Sequence, residues 1–171
     1  LVQINAGTVT GALEFGAGAD SLVIDGGAVV TGALADADGL LNINITEGLL
    51  DARQATAINV SGLNLGADGG LVVTVDPVAG SSGGFIVNGT ANIASGASVG
   101  VRFTSLLDDP TRFVVIQATT LTAGSLDQTQ VQETSPYMFV VSAGIDSTLN
   151  QVYVDARQRT ASEFGFIAAE A

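Results

Sequence analysis

Apolar and polar residues alternate in short runs over the first half of the chain: Leu22/Ile24, Leu41/Ile43/Ile45, Ile58/Val60, Leu63/Leu65 and Leu71/Val73/Val75. A period of two predicts strands, with these residues on one face and Asn42, Asn44, Asn59, Asn64 and Thr74 on the other. Gly- and Asp-rich punctuation falls between the runs, at residues 16–20, 25–27, 36–39, 66–70 and 80–84, where turns are expected. The pattern also repeats. Val9-Thr10-Gly11-Ala12-Leu13 returns as Val30-Thr31-Gly32-Ala33-Leu34, and the same 21-residue offset carries Leu22 onto Ile43 and Ile24 onto Ile45. A period near 20 with several short strands per copy predicts a β-solenoid, in which no copy closes a core alone and each stacks on its neighbours. At ~4.8 Å per stacked strand, about seven layers predict a rod roughly 35 Å long.

After Asp76-Pro77 the periodicity loosens. Residues 85–89, 97–103, 113–118, 137–142 and 152–155 still read as strands, but longer polar stretches intervene, notably 127–135. Phe85, Phe103, Phe113, Tyr137, Phe139 and Tyr153 gather most of the aromatic side chains here. Aromatic packing and hairpin excursions are what a terminal cap requires, because the last layer has no neighbour to cover its core or its strand edge. At the end, Thr160 as N-cap and Glu163 at the third helical position form a capping box, predicting a helix that begins here and is cut short at Ala171. The expected organisation is therefore all-β: solenoid layers over 1–96, a cap with hairpin-like strands over 97–157, and a short terminal helix over 158–171.

Composition agrees with strands. Apolar residues make up 47% of the chain, Gly numbers 22, charged residues only 13%, and Trp is absent. Small and β-branched side chains suit tightly stacked strands, and Gly suits short corners. The net charge is −12, with five Arg and no Lys, so nucleic acid and an anionic membrane surface are both disfavoured as partners. No apolar run approaches the roughly 18 residues of a membrane helix, so this segment is not expected to insert into a membrane. The chain has no Cys and no His. That removes disulfides, thiolate chemistry, a Ser–His–Asp triad and His-ligated zinc. With Leu1 first and no signal-peptide pattern, the sequence reads as beginning mid-protein.

The ordering of these segments resembles a known family. A Gly/Asn/Thr-rich solenoid is followed by Val99-Gly100-Val101, by Arg112-Phe113-Val114-Val115-Ile116-Gln117-Ala118 and by Leu121-Thr122-Ala123-Gly124. The chain closes with Leu149-Asn150-Gln151-Val152-Tyr153-Val154 and Arg157-Gln158-Arg159-Thr160-Ala161-Ser162-Glu163-Phe164-Gly165. It looks like the C-terminal passenger region of autotransporters of type V secretion, running into the helix that enters the outer-membrane barrel. The likeness is most specific over about 97–165 and generic over 1–60. Phe164-Gly165-Phe166 is bulkier than the Ala/Leu/Gly pattern usual in that family. The resemblance implies a right-handed parallel β-helix, secretion, and an autochaperone segment that folds first outside the cell. It also implies tethering at the bacterial cell surface through the protein's own barrel, which is not in this sequence.

Candidate chemistry is sparse. Gly16-Ala17-Gly18-Ala19-Asp20-Ser21-Leu22 matches most of a calcium-binding nonapeptide, with Phe15 in place of its first Gly. Such sites take carboxylates from consecutive turns. Leu41 stands one repeat after Asp20, and Asp36 and Asp38 lie out of register, so a turn is the expected role. A polysaccharide lyase or hydrolase would need paired carboxylates, or a carboxylate with a cation, in one cleft. Here most Asp residues sit in turns and the Arg are scattered, with Arg157 and Arg159 at the tail. Asn44-Ile45-Thr46, Asn59-Val60-Ser61 and Asn88-Gly89-Thr90 are formal glycosylation sequons, read as outward polar positions. Thr8-Val9-Thr10 resembles an ice-binding Thr-x-Thr but does not recur. No catalytic, cofactor-binding or metal-binding residue is assigned. The expected role is a structural stem with a folding-nucleating end and no enzymatic activity. The alternative is a surface adhesin or surface-layer module that associates with itself or binds glycans.

Overall fold

The computed structural model describes residues 1–133 and 136–164, with the side chains of 132 and 133 left aside. The chain is all-β. Its strands form one 13-stranded mixed sheet and a separate two-stranded sheet.

The parallel pairings fall into three columns, visited in cyclic order. The first column stacks Val2–Ile4, Ser21–Ile24, then residues 42–45, 62–65, 91–93 and 121–123. The second stacks Thr8–Thr10, Ala28–Gly32, then 48–52, 69–75 and Ser98–Phe103. The third holds Leu13–Phe15 on Leu34–Asp36, and Ile58–Val60 under 85–87 and 116–118. Chain order through these segments is first, second, third, then first again, without exception. The expectation of about seven layers becomes six strands in the first column.

The 21-residue offset is the real register: Val9 pairs with Val30, Leu13 with Leu34, Leu22 with Ile43 and Ile24 with Ile45. Parallel pairing then continues well past the point where the sequence pattern fades. Leu71 meets Val99, an offset of 28, and Phe85 meets Ile116, an offset of 31. The surplus residues leave the stack as excursions. One is the turn after Asp76, closed by antiparallel pairing of Ser81–Ser82 with residues 75–76. The parallel ladder therefore crosses residue 96 and ends inside the segment expected to be the cap.

Inward residues form one continuous core. Leu22, Ile24, Ile43, Ile45, Leu63, Leu65, Leu71, Val73, Val99 and Val101 are all essentially without exposure. Asn42, Asn59 and Asn64 face out and are exposed; Thr74 also lies on the outward face but is only 8% exposed, and its hydroxyl donates to the Ala52 carbonyl at 3.1 Å. Outward-facing Val72 beside it is also buried, at 6% exposure. The outer face of the second column is covered by side chains that cross it, as described below.

The C-terminal end changes direction. Gln151–Gln158 pairs antiparallel with residues 111–117, and Phe139–Asp146 pairs antiparallel with it in turn. Phe103 packs on Phe113 edge-to-face at 6.1 Å between centroids and on Phe139 at 4.6 Å, an arrangement aromatic rings favour. The polar stretch 127–135, which intervenes between strands, contains an α-helix over Gln128–Glu133. Asp127 caps it by accepting from the Thr129 N–H at 2.9 Å, and Val131 is fully buried beneath it. The capping box at Thr160 is half formed. The Glu163 carboxylate accepts from the Thr160 N–H at 2.8 Å, but the Glu163 N–H donates to the Thr160 backbone carbonyl. Only a 3₁₀ turn over Ala161–Phe164 results, and the rest of the expected helix lies outside the described residues.

Truncating a stacked core residue should leave a cavity between layers. Ile43→Ala is expected to cost about 2–5 kcal/mol in denaturant unfolding. Val78→Ala, at a side chain that is 81% exposed in the excursion, should stay within about 0.5 kcal/mol. Equal effects would show that the inward column is not the core.

Candidate functional site

The residues singled out in the sequence serve the turns. The Asp38 carboxylate accepts from the Gly18 N–H at 2.6 Å and from the Leu40 N–H at 3.1 Å, tying one Gly-rich turn to the next. Asp36 accepts from the Leu41 N–H at 3.0 Å. Asp20 stands one pair before the Ser21–Asn42 register, which sets it opposite fully buried Leu41 rather than another carboxylate. Among the described residues no three carboxylates converge as a metal cage would require.

The sequon residues separate. Asn64 donates to the Asn44 side-chain oxygen at 2.7 Å, a two-residue amide ladder on the outer face of the first column. The Ser61 hydroxyl is used internally, donating to the Leu40 and Leu41 carbonyls. Asn59 and Asn88 line an open groove of about 550 Å³ with Asp36, Asp38 and Ile58. Thr8 and Thr10 are exposed, but Thr8 pairs with Val29, and the row from Thr10 runs only to Thr31 before it meets Asp51.

The polar centre that composition did not reveal is a clip across the second column. Asp51, 5% exposed, faces outward from residues 48–52. Arg102 reaches it from Ser98–Phe103, two strands along the column, with Nη2 2.7 Å from Oδ2. Arg53 adds a second guanidinium at 3.0 Å. The strand between them carries Val72, in register with Asp51, so the Arg102 stem covers that apolar side chain. The two guanidiniums keep about half their side-chain surface in water, whereas the Asp51 side chain keeps 8%.

Gln54 does comparable work at the third column. That column is interrupted, because Leu34–Asp36 belongs to the separate two-stranded sheet. The buried Gln54 amide fills the gap: its oxygen accepts from the Leu34 N–H at 3.3 Å and its nitrogen donates to the Gly83 carbonyl at 2.8 Å. Gly83 has to be glycine here, since a Cβ would lie 1.8 Å from the Gln54 carbonyl oxygen.

A second charged group lies on the antiparallel hairpin. Arg112 forms a two-point pair with Asp155 at 2.7 and 2.8 Å, and its guanidinium carbon sits 3.6 Å above the Tyr153 ring. The Asp155 hydrogen bond raises the Arg112 pKa. Tyr153 lies across Gly144, where no side chain could be added without meeting the ring. Arg157 pairs with Glu163 at 2.7 Å, and this contact, with the Thr160 N–H, holds the Glu163 carboxyl well below the usual carboxylate range. Arg112, Asp155, Ser142 and Arg157 border a groove of about 350 Å³. Each of its cations is matched by a carboxylate. The arrangement braces strands.

Sequence reading missed these centres because their members are far apart in the chain. Asp51 and Arg102 are separated by 51 residues and become neighbours only once the 21- and 28-residue offsets of the second column are added in turn, which puts Asp51 in line with Gly100, two residues before Arg102. The clip predicts an asymmetry. Replacing both Arg53 and Arg102 by Gln strands a buried carboxylate and should cost about 3–5 kcal/mol. Asp51→Ala releases two half-exposed guanidiniums to water and should cost less, about 1–2 kcal/mol. Urea unfolding of the two variants decides the matter, and the reverse order would refute the clip. Compared with known proteins, the chain matches no family model, no curated protein and no solved structure.

Proposed function

We propose that the chain is a right-handed parallel β-helix. In this reading it is the structural stem of a secreted, surface-displayed autotransporter passenger, with its C-terminal segment nucleating folding during secretion. The observation that carries the reading is the cyclic visit to three parallel columns at a 20–21-residue offset, closed by an antiparallel aromatic hairpin. A stack built from one repeated circuit suits a spacer, because length is added without new tertiary design. Residues 97–157 bring together Phe103 and Phe113, on strands that the preceding layers pair with, and Phe139, on the hairpin, in the densest aromatic contact among the described residues. Such a cluster is a suitable nucleus onto which layers add one after another. The acidic surface and the absence of Cys fit a chain that crosses an oxidising compartment before it folds.

Limited proteolysis tests the order of folding. Deleting residues 97–157 is expected to leave the upstream strands protease-sensitive, while deleting residues 1–45 should leave the remainder resistant. Equal resistance of the two truncations would contradict nucleation from the C-terminal end. One observation favours a second reading, a surface adhesin or surface-layer module: the outward Asn44–Asn64 ladder beside the polar groove of Asn59 and Asn88. Cells displaying the segment should aggregate more than cells lacking it if that reading holds, and equally if the segment is a stem.

A further inference from the structure

Three large apolar side chains stand in water near one another at the C-terminal end. Leu106 is 61% exposed, Tyr137 69% and Met138 44%. Leu106 and Met138, with Phe139, Gln158, Arg159 and Phe164, line a groove of about 310 Å³, and the Tyr137 ring meets Phe164 edge-to-face at 5.8 Å. Packing among the described residues leaves this apolar surface open around a concavity, and such surfaces mark binding sites.

The charge of the groove is as unusual as its surface. Four of the five Arg are neutralised: Arg53 and Arg102 by Asp51, Arg112 by Asp155, Arg157 by Glu163. Arg159 has no ion pair among the described residues. Its Nε donates to the Tyr137 carbonyl at 2.5 Å and its guanidinium lies 4.9 Å from the centre of the Tyr137 ring. The guanidinium is thus held in place while Nη1 and Nη2 have no hydrogen-bond partner among the described residues. Gln158 is oriented in the same way, its Nε2 donating to the Leu107 carbonyl at 2.5 Å. Its Oε1 has no partner among the described residues.

These groups line one groove and form a complementary set: a two-pronged donor for a carboxylate, an acceptor for one N–H, and apolar walls. The last residue of a polypeptide presents the matching set, an α-carboxylate, an amide N–H and a side chain. A lipid surface fits poorly, since a chain of net charge −12 with one unneutralised Arg is repelled by anionic headgroups. We propose that this groove binds the free C-terminus of a peptide or protein ending in an apolar or aromatic residue. Arg159 would hold the carboxylate, Gln158 the terminal amide, and Leu106, Met138 and Phe139 the last side chain. The inference does not rest on the stem reading.

Fluorescence anisotropy with the 171-residue chain tests it, using a fluorescein-labelled Gly-Ser-Gly-Ser-Leu-Phe peptide prepared as free acid and as amide. The acid is expected to bind at least about tenfold more tightly than the amide. Arg159→Gln should abolish that difference. Because Arg159 also holds the Tyr137 carbonyl, Leu106→Glu provides a second test at an exposed position that leaves the fold intact. It sets a carboxylate on the rim and should weaken binding of the acid at least about tenfold. Equal affinity for acid and amide, retained discrimination in Arg159→Gln, or unchanged binding in Leu106→Glu would overturn the proposal. So would sedimentation with phosphatidylglycerol vesicles in place of peptide capture.

Discussion

Parallel register between successive circuits is the constraint on which the other features depend. Each inward residue rests on the residue one circuit earlier, Ile24 under Ile45 and Ile45 under Leu65. Side chains alternate with a strict period of two, so a slip of one residue would put Asn44 and Asn64 into the core and expose Ile43 and Leu63. No circuit closes a core alone: the inward side chains are aliphatic, mostly Leu, Ile, Val and Ala, and the layers on either side complete their cover. This is why aromatic bulk is rare along the stack and concentrated where stacking stops.

Length variation between circuits is compatible with that constraint because surplus residues leave at corners. The offset grows from 20–21 residues to 28 and then to 30–31, while the paired segments keep their places. What changes is the closeness of the backbones at the corners. Glycine is required where one circuit crosses another: a Cβ at Gly32 would lie 1.7 Å from the Gly11 carbonyl oxygen, and one at Gly84 would lie 2.1 Å from that of Val115. Where a circuit fails to supply a pairing strand, a side chain replaces it, as the Gln54 amide does between Leu34 and Gly83.

The alternation at Leu22/Ile24 and Leu41/Ile43/Ile45 made the early strands legible, and the repeated Val-Thr-Gly-Ala-Leu gave their register. Both signals are local or strictly periodic. The later strands kept alternation but lost the constant offset, so their pairing could not be read even though their approximate positions could. Thr74 lies on the outward face that the alternation predicts, yet it is buried, and nothing nearby in sequence announces that Arg102 and Asp51 cover its column. The helix over Gln128–Glu133 was hidden by its length: six residues with one buried apolar side chain, Val131, carry no periodicity, and only Asp127 as a cap could have marked it.

The two ends of the stack are unlike, and the difference is physical. At the C-terminal end the hairpin strand Phe139–Asp146 would present a free edge, the kind that recruits other chains. There the Gln128 carboxamide donates to the Ala143 carbonyl at 2.9 Å and accepts from the Ala143 N–H at 3.1 Å. These are the two bonds a neighbouring strand would make at Ala143, so the side chain blocks the edge at the middle of the strand. The opposite end has no such device. Val2–Ile4 pairs only with Ser21–Ile24, and Ile4, Val9, Leu13 and Phe15 are partly buried where their successors Ile24, Val30 and Leu34 are fully buried. Burial of apolar surface therefore rises from the first circuit inward and is sealed at the last. A stack with one sealed end and one graded end gains most by ordering first where its neighbours are already in place, which is the physical ground for the proposal that folding starts at the hairpin.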